Sequence, residues 1–173
     1  MVSVMKIASV FLFVCLFACQ DSIVKTTVNE ENKTQELVTY QDIEDIRFTE
    51  FLPDPKVLKE ISNWEKYNEL DRVVQDVKSA NLSFFRANSE IVSTLMEELK
   101  TTIPESMNSP QVFSRVIALE TKVFKLESTV NLSNVEKKQM LESINEFLIA
   151  FSNLNLQMNK KIEKESQKII KPN

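Results

Sequence analysis

The sequence predicts an all-α fold: an antiparallel bundle of three long helices, or four if the first breaks near Asn81, preceded by a disordered acidic tether. Three observations carry this. Glycine is absent from all 173 residues, whereas tight β-hairpin turns and phosphate-cradling loops depend on residues free to take positive φ. Apolar residues recur at steps of 3 and 4 through long stretches without proline, the spacing of one face of a helix. The connections between these stretches are short, which makes consecutive helices antiparallel neighbours.

Asp54-Pro55 opens the first run, an N-cap aspartate followed by proline at the first helical position. Val57, Ile61, Trp64, Leu70, Val74, Val77, Phe84, Ile91, Leu95 and Leu99 then mark one apolar face, with no proline before Pro104. A single helix of about 45 residues is about 68 Å long. Its weak point is Ser79-Ala80-Asn81-Leu82-Ser83, where Asn and Ser side chains compete for main-chain groups. Thr101 to Ser109 reads as a turn, and Ser109-Pro110 repeats the cap-then-proline opening.

The second helix has the cleanest pattern in the chain. Val112, Val116, Leu119, Val123, Leu126 and Val130 form a heptad seam. A second stripe, Phe113, Ile117 and Phe124, lies beside it. A two-stranded coiled coil uses only the first stripe, whereas a bundle interior uses both. Ser133 and Glu136 then have the spacing of a capping box. The last helix is marked by Met140, Ile144, Phe147, Phe151, Leu154, Met158, Ile162 and Ile169. It ends among Lys160, Lys161, Lys164, Lys168 and Lys171, cations that suit the negative end of a helix dipole.

The amino terminus is of another kind. After Lys6, the 12 residues Ile7 to Ala18 carry no charge. As a helix they span about 18 Å, short of the roughly 30 Å hydrocarbon core of a bilayer. Residues 1–18 therefore read as a signal peptide and not as a membrane span. Leu16-Phe17-Ala18-Cys19 resembles the lipobox of bacterial lipoproteins, with Phe17 bulkier than the usual occupant. The resemblance implies that Cys19 becomes the new amino terminus, with a diacylglyceryl group on its thiol and an acyl group on its amine. Two or more acyl chains hold a protein stably on a membrane. The Asn-, Lys- and Glu-rich composition, with acidic residues after the cysteine, is similar to lipoproteins of Bacteroidota. That similarity implies the outer membrane of the cell envelope, with the leaflet left open.

Residues 19–53 read as the lipid-anchored flexible linker and 54–173 as the helical bundle domain. Up to Thr39 the linker is rich in Thr, Asn, Gln and Glu, with too little apolar surface to offset chain entropy. From Tyr40 the density rises with Ile43, Ile46, Phe48, Phe51 and Leu52, and a short helix or extended strip docked on the body is expected. From Cys19 onward the chain holds 20 Lys and Arg against 25 Asp and Glu, a net charge near −5. That balance gives no reason to expect nucleic acid.

Histidine is absent, which removes Ser-His-Asp and Cys-His catalysis, His-containing zinc sites and the Glu-x-x-His pairs of di-iron bundles. Processing and acylation leave no free thiol. Glu97-Glu98 and the pair Glu142 and Glu146 are better explained as solvated helix faces than as a glycosidase dyad. Trp64 and Tyr67, three apart, have core spacing before they have the look of a recognition patch. Phe84 and Phe85 cannot both face one seam. The terminal lysines are explained by helix-end charge ahead of anionic lipid or lipopolysaccharide.

No catalytic, cofactor or metal residue is nominated; the single site residue is Cys19, for lipid attachment. The function expected is that of a non-enzymatic, membrane-anchored lipoprotein. Its partners are the membrane, through acylated Cys19, and a protein or a second copy of itself, through helix-mediated contact. The alternative is a bundle that binds a lipid or other apolar ligand between its helices.

Overall fold

The computed structural model describes residues 38–167, which are helical with no strand among them. Helix α1 covers Tyr40–Glu44, α2 Pro55–Ile61, α3 Glu65–Lys78, α4 Ser89–Thr101, α5 Pro110–Val130 and α6 Lys137–Ser166; a 3-10 turn occupies Ser83–Phe85. The segments expected to be signal peptide and tether, as far as residue 37 and including Cys19, lie outside the described residues, as do Lys168, Ile169 and Lys171.

The first apolar run is not one helix. It is divided into α2, α3 and α4. The break near Asn81 has a definite cause. Ser79 caps α3, Ala80 follows with φ 62°, and Asn81 N–H bonds the Asp76 carbonyl at 2.9 Å while Ala80 N–H bonds that of Val77 at 2.9 Å. These two bonds form a Schellman motif with alanine in the left-handed position that glycine usually takes. Ala87, with φ 52°, is the second such residue. Its N–H donates to Asn131 Oδ1 at 3.0 Å, and Asn131 Nδ2 donates to the Phe85 carbonyl at 2.8 Å. The residue that ends α5 thus also pins the turn before α4. An earlier break, at Ser62 to Trp64, separates α2 from α3 and has no proline or glycine to announce it.

The breaks shift the helical phase. Val57, Ile61, Trp64, Leu70, Val74, Val77, Leu95 and Leu99 are buried as their spacing requires. Ile91 is 52% exposed, and its neighbour Val92 takes the core position. Phe84 is likewise half-buried, and Phe85 is inside.

Helices α5 and α6 make the most extensive packing in the molecule. Thr129 near the end of α5 meets Ser143 near the start of α6, their hydroxyls 3.1 Å apart, and Lys122 and Lys125 meet Glu146 further on. The heptad seam of α5 is buried throughout, none of its six residues more than 5% exposed. Met140, Ile144, Phe147, Phe151, Leu154 and Met158 of α6 are buried with it. The second stripe of α5 is not: Phe113, Ile117 and Phe124 are 43%, 40% and 37% exposed. Only one of the two stripes is used by the interior.

The capping box at Ser133 and Glu136 does not start the last helix, which begins at Lys137. The residues between are a turn that buries Val135, so the apolar contact decides where the helix can begin. Ser109 does cap α5, accepting from Val112 N–H at 3.3 Å, with Pro110 in the first turn. Residues 38–53, within the segment assigned to the linker, pack on the body through a short helix and the strip after it, as the apolar density from Tyr40 predicts: Ile43 is buried, and Ile46 and Phe48 lie against the core.

A side chain with a Cβ costs roughly 1–2 kcal/mol in the left-handed region, while glycine there costs roughly 0.4–1 kcal/mol in unfolded-state entropy. Ala80→Gly is therefore expected to stabilise the fold by up to about 1 kcal/mol. Urea denaturation checks this, and a clear loss of stability would show that Ala80 is not strained.

Candidate functional site

The most developed arrangement of polar groups lies where residues 49–54 run along α6. Ser152, Asn155 and Asn159 project from one face of that helix, each one residue after a buried apolar residue of the seam, Phe151, Leu154 or Met158. Within the strap, residues 49–54, the groups they bond are all main-chain. Ser152 Oγ accepts the Phe51 N–H at 2.7 Å and donates to the Thr49 carbonyl at 3.0 Å. Asn155 Nδ2 donates to the Phe51 carbonyl at 3.1 Å. Asn159 accepts the Asp54 N–H at 2.9 Å and donates to the Leu52 carbonyl at 2.8 Å.

An extended chain normally satisfies these groups with a neighbouring strand. Here a helix supplies the donors and acceptors from side chains at steps of three and four. Asn155 is 1% exposed and Ser152 3% exposed, so both depend on the strap for their partners. Asn155 Oδ1 also accepts the Tyr67 hydroxyl at 2.7 Å. Burial, first, and then the charge of Asp71 push the Tyr67 hydroxyl up from its ordinary pKa, and it remains a neutral donor. Tyr67 in turn lies between Trp64, ring centroids 5.5 Å apart, and Phe151, 5.6 Å. Trp64 donates from Nε1 to Thr102 Oγ1 at 3.2 Å. The two aromatic residues singled out in the sequence are thus core, with their polar tips satisfied.

The strap is fastened at its amino-terminal side by Asp42. Its carboxylate pairs with Lys137 at 2.8 Å and accepts from Thr39 through both main-chain N–H and hydroxyl. The Lys137 bond, then the two from Thr39, hold the Asp42 carboxyl down at about 2. Glu50 pairs with Lys78 further along.

Three of the four carboxylates in the pairs read from the sequence, Glu146, Glu97 and Glu98, bond lysines. Glu146 accepts from Lys125 and Lys122, bonds that lower its pKa and raise that of Lys125. Glu98 bonds Lys66 at 2.7 Å and Glu97 bonds Lys100 at 3.0 Å. Lys100 is raised mainly by Glu120, which it reaches at 2.8 Å. Phe85 meets Phe84 and Phe147 edge to face. Among the described residues no group of three or more Asp, Glu or Cys is placed to hold a metal ion, and no helix is long and apolar enough to cross a membrane. Cys19, the one site residue nominated from the sequence, lies outside the described residues.

Ser152, Asn155 and Asn159 were not singled out by the sequence, although they follow the apolar seam at a constant offset of one residue. That polar stripe beside an apolar one is the signal. Its meaning depends on residues about 100 positions away, which periodicity does not connect. No family model, no curated protein and no solved structure matches this chain.

Asn155→Ala leaves the Tyr67 hydroxyl and the Phe51 carbonyl without their partner, at roughly 1–3 kcal/mol each. The expected loss in urea denaturation is about 2–4 kcal/mol in all, with Tyr67→Phe costing less; a loss within error for Asn155→Ala would remove the ladder from the fold's essential contacts. Because the Asp42 pKa is depressed on folding, its contribution is present above the ordinary value of 3.8 and is lost as pH falls from there through about 2. Carboxyl carbon shifts should titrate near 2 for Asp42 and move upward in Lys137→Gln; an unchanged midpoint in the variant would rule out that pairing.

Proposed function

We propose that this chain is a non-enzymatic lipoprotein of the cell envelope, anchored through Cys19, that acts by presenting a helical face to a protein partner. The body is an antiparallel bundle in this reading, supported by the meeting of the end of α5 with the start of α6. The observation that carries the contact is the exposed stripe Phe113, Ile117 and Phe124 on α5, alongside a seam whose residues are all inside. Three large apolar side chains on one face, spread over about 17 Å of helix, have the form of anchors that enter an apolar groove. The occupant in this reading is a different protein, whose concave apolar groove would wrap the helix around the stripe as a second convex copy of the same face would not.

Several of the phenylalanines and methionines that raise the alternative of an apolar ligand lie in the core, which supports the protein-contact reading over it. Phe85, Phe147, Met96, Met107 and Met158 are all fully buried. The anchor rests on the sequence resemblance at Leu16-Phe17-Ala18-Cys19.

A photocrosslinking residue at position 117 in cells is expected to give a discrete adduct with a second protein that is absent when the same residue stands at Ser114. An adduct of twice the chain's own mass would assign the stripe to a second copy, and equal labelling at both positions would remove the interface. In parallel, Cys19→Ser should release the protein from membranes and abolish palmitate labelling; retention of both would reject the anchor.

A further inference from the structure

The start of α5 and the last third of α6 enclose a cleft of about 430 Å³, lined by Lys160, Lys161 and Lys164 on one side and by Ser109 and Gln111 on the other. Its one acidic wall residue, Glu165, already bonds Lys161 at 2.6 Å. Among the described residues Lys160 and Lys164 make no ion pair, so there the cleft carries two uncompensated cations.

Elsewhere the body places carboxylates against its gathered lysines. Lys66 lies between Glu69 and Glu98, Lys100 between Glu97 and Glu120, and Lys122 and Lys125 share Glu146. The helix dipole accounts for only part of the exception. Its influence is confined to the last turn, which holds Lys164 alone; Lys160 and Lys161 stand a turn earlier. The facing first turn of α5 has no acidic residue, so nothing across the cleft supplies the missing negative charge. Cations converging on a concave space of ligand size, with no carboxylate left to meet them, select for an anion.

We propose that this cleft binds a phosphate-bearing group, with Lys160 and Lys164 as its charge partners. An ammonium on a flexible stem serves as a point charge toward phosphate oxygens, and two such groups suit a monoanionic or dianionic phosphate. The group comes either from an anionic lipid headgroup or from a free phosphate. The site is independent of both Cys19 and the apolar stripe.

The test is an amide-shift titration of the full chain in non-ionic detergent micelles, first with inorganic phosphate and then with micelles doped with phosphatidylglycerol. Saturable shifts are expected for residues 109–112 and 157–165, with affinity falling at least tenfold in the double variant Lys160→Gln, Lys164→Gln. Lys56→Gln, Lys59→Gln, a pair of exposed lysines elsewhere, should bind as the parent does. Response to phosphatidylglycerol alone identifies a lipid headgroup, and response to both identifies the phosphate group itself. No saturable response to either, or an equal loss in the control pair, overturns the site. Both lysines of the test variant are exposed, so its fold, checked by circular dichroism, should be that of the parent.

Discussion

A buried amide must have partners for both its donor and its acceptor, and Asn155 sets much of this structure through that requirement. Left half-bonded it would cost more than most single contacts return. Its acceptor is taken by Tyr67 of α3 and its donor by the Phe51 carbonyl of the strap. One side chain on α6 therefore fixes two other elements against it. The strap gains register as well as attachment. Sliding it by one residue along α6 would set carbonyls where N–H groups now stand, and Ser152 and Asn159 would lose their partners together. With the strap in place, Asp54 and Pro55 begin α2 at a fixed point: Asp54 N–H is held by Asn159, while the Asp54 side chain makes no cap bond to its own helix.

This is also the boundary of what could be read from the chain. The heptad seam of α5 and the seam of α6 were legible because a helix that faces one core repeats its own spacing, and every residue named on the α5 seam is buried. The cap at Ser109 was legible because a cap is local. The strap was legible only as a rise in apolar density from Tyr40. Its bonds join residues about 100 apart, and composition alone placed it with the tether. The second stripe of α5 could be found but not assigned, because the same spacing serves an interior and an exposed face. The misplaced start of α6 has a related cause: the Ser133 and Glu136 signal is local, and the burial of Val135 that overrides it is not.

The absence of glycine argues against hairpins, and the described residues hold helices and no strand. It has a second consequence that spacing does not reveal. Helices that must end sharply still need left-handed residues, and here alanine fills the role at Ala80 and Ala87. The cost is borne by surrounding bonds. Two Schellman bonds hold the first turn, and Asn131, reaching across from the end of α5, holds the second. Those bonds place α4 one residue out of phase with the run before it, which is why Ile91 is outside and Val92 inside. A break that looks like a weakness in one helix is thus a device for turning the face of the next.

The two surfaces to which we assign binding both border α5 and do not compete. Successive residues of a helix are about 100° apart around its axis. Gln111 on the cleft and Phe113 on the stripe are two residues apart, so they point about 200° apart in opposite directions. Ile117 and Phe124 continue on the side of Phe113, within about 40° of it by the same rotation. The buried seam lies between these two directions, which is the geometry a helix needs if it is to hold a core and still present a face on either side. A protein docked on Phe113, Ile117 and Phe124 would leave Lys160 and Lys164 open, since those belong to α6 and border α5 from the other flank. The α5–α6 pair can therefore serve a protein contact and an anion contact at once, with the strap and its ladder of Ser152, Asn155 and Asn159 holding α6 steady.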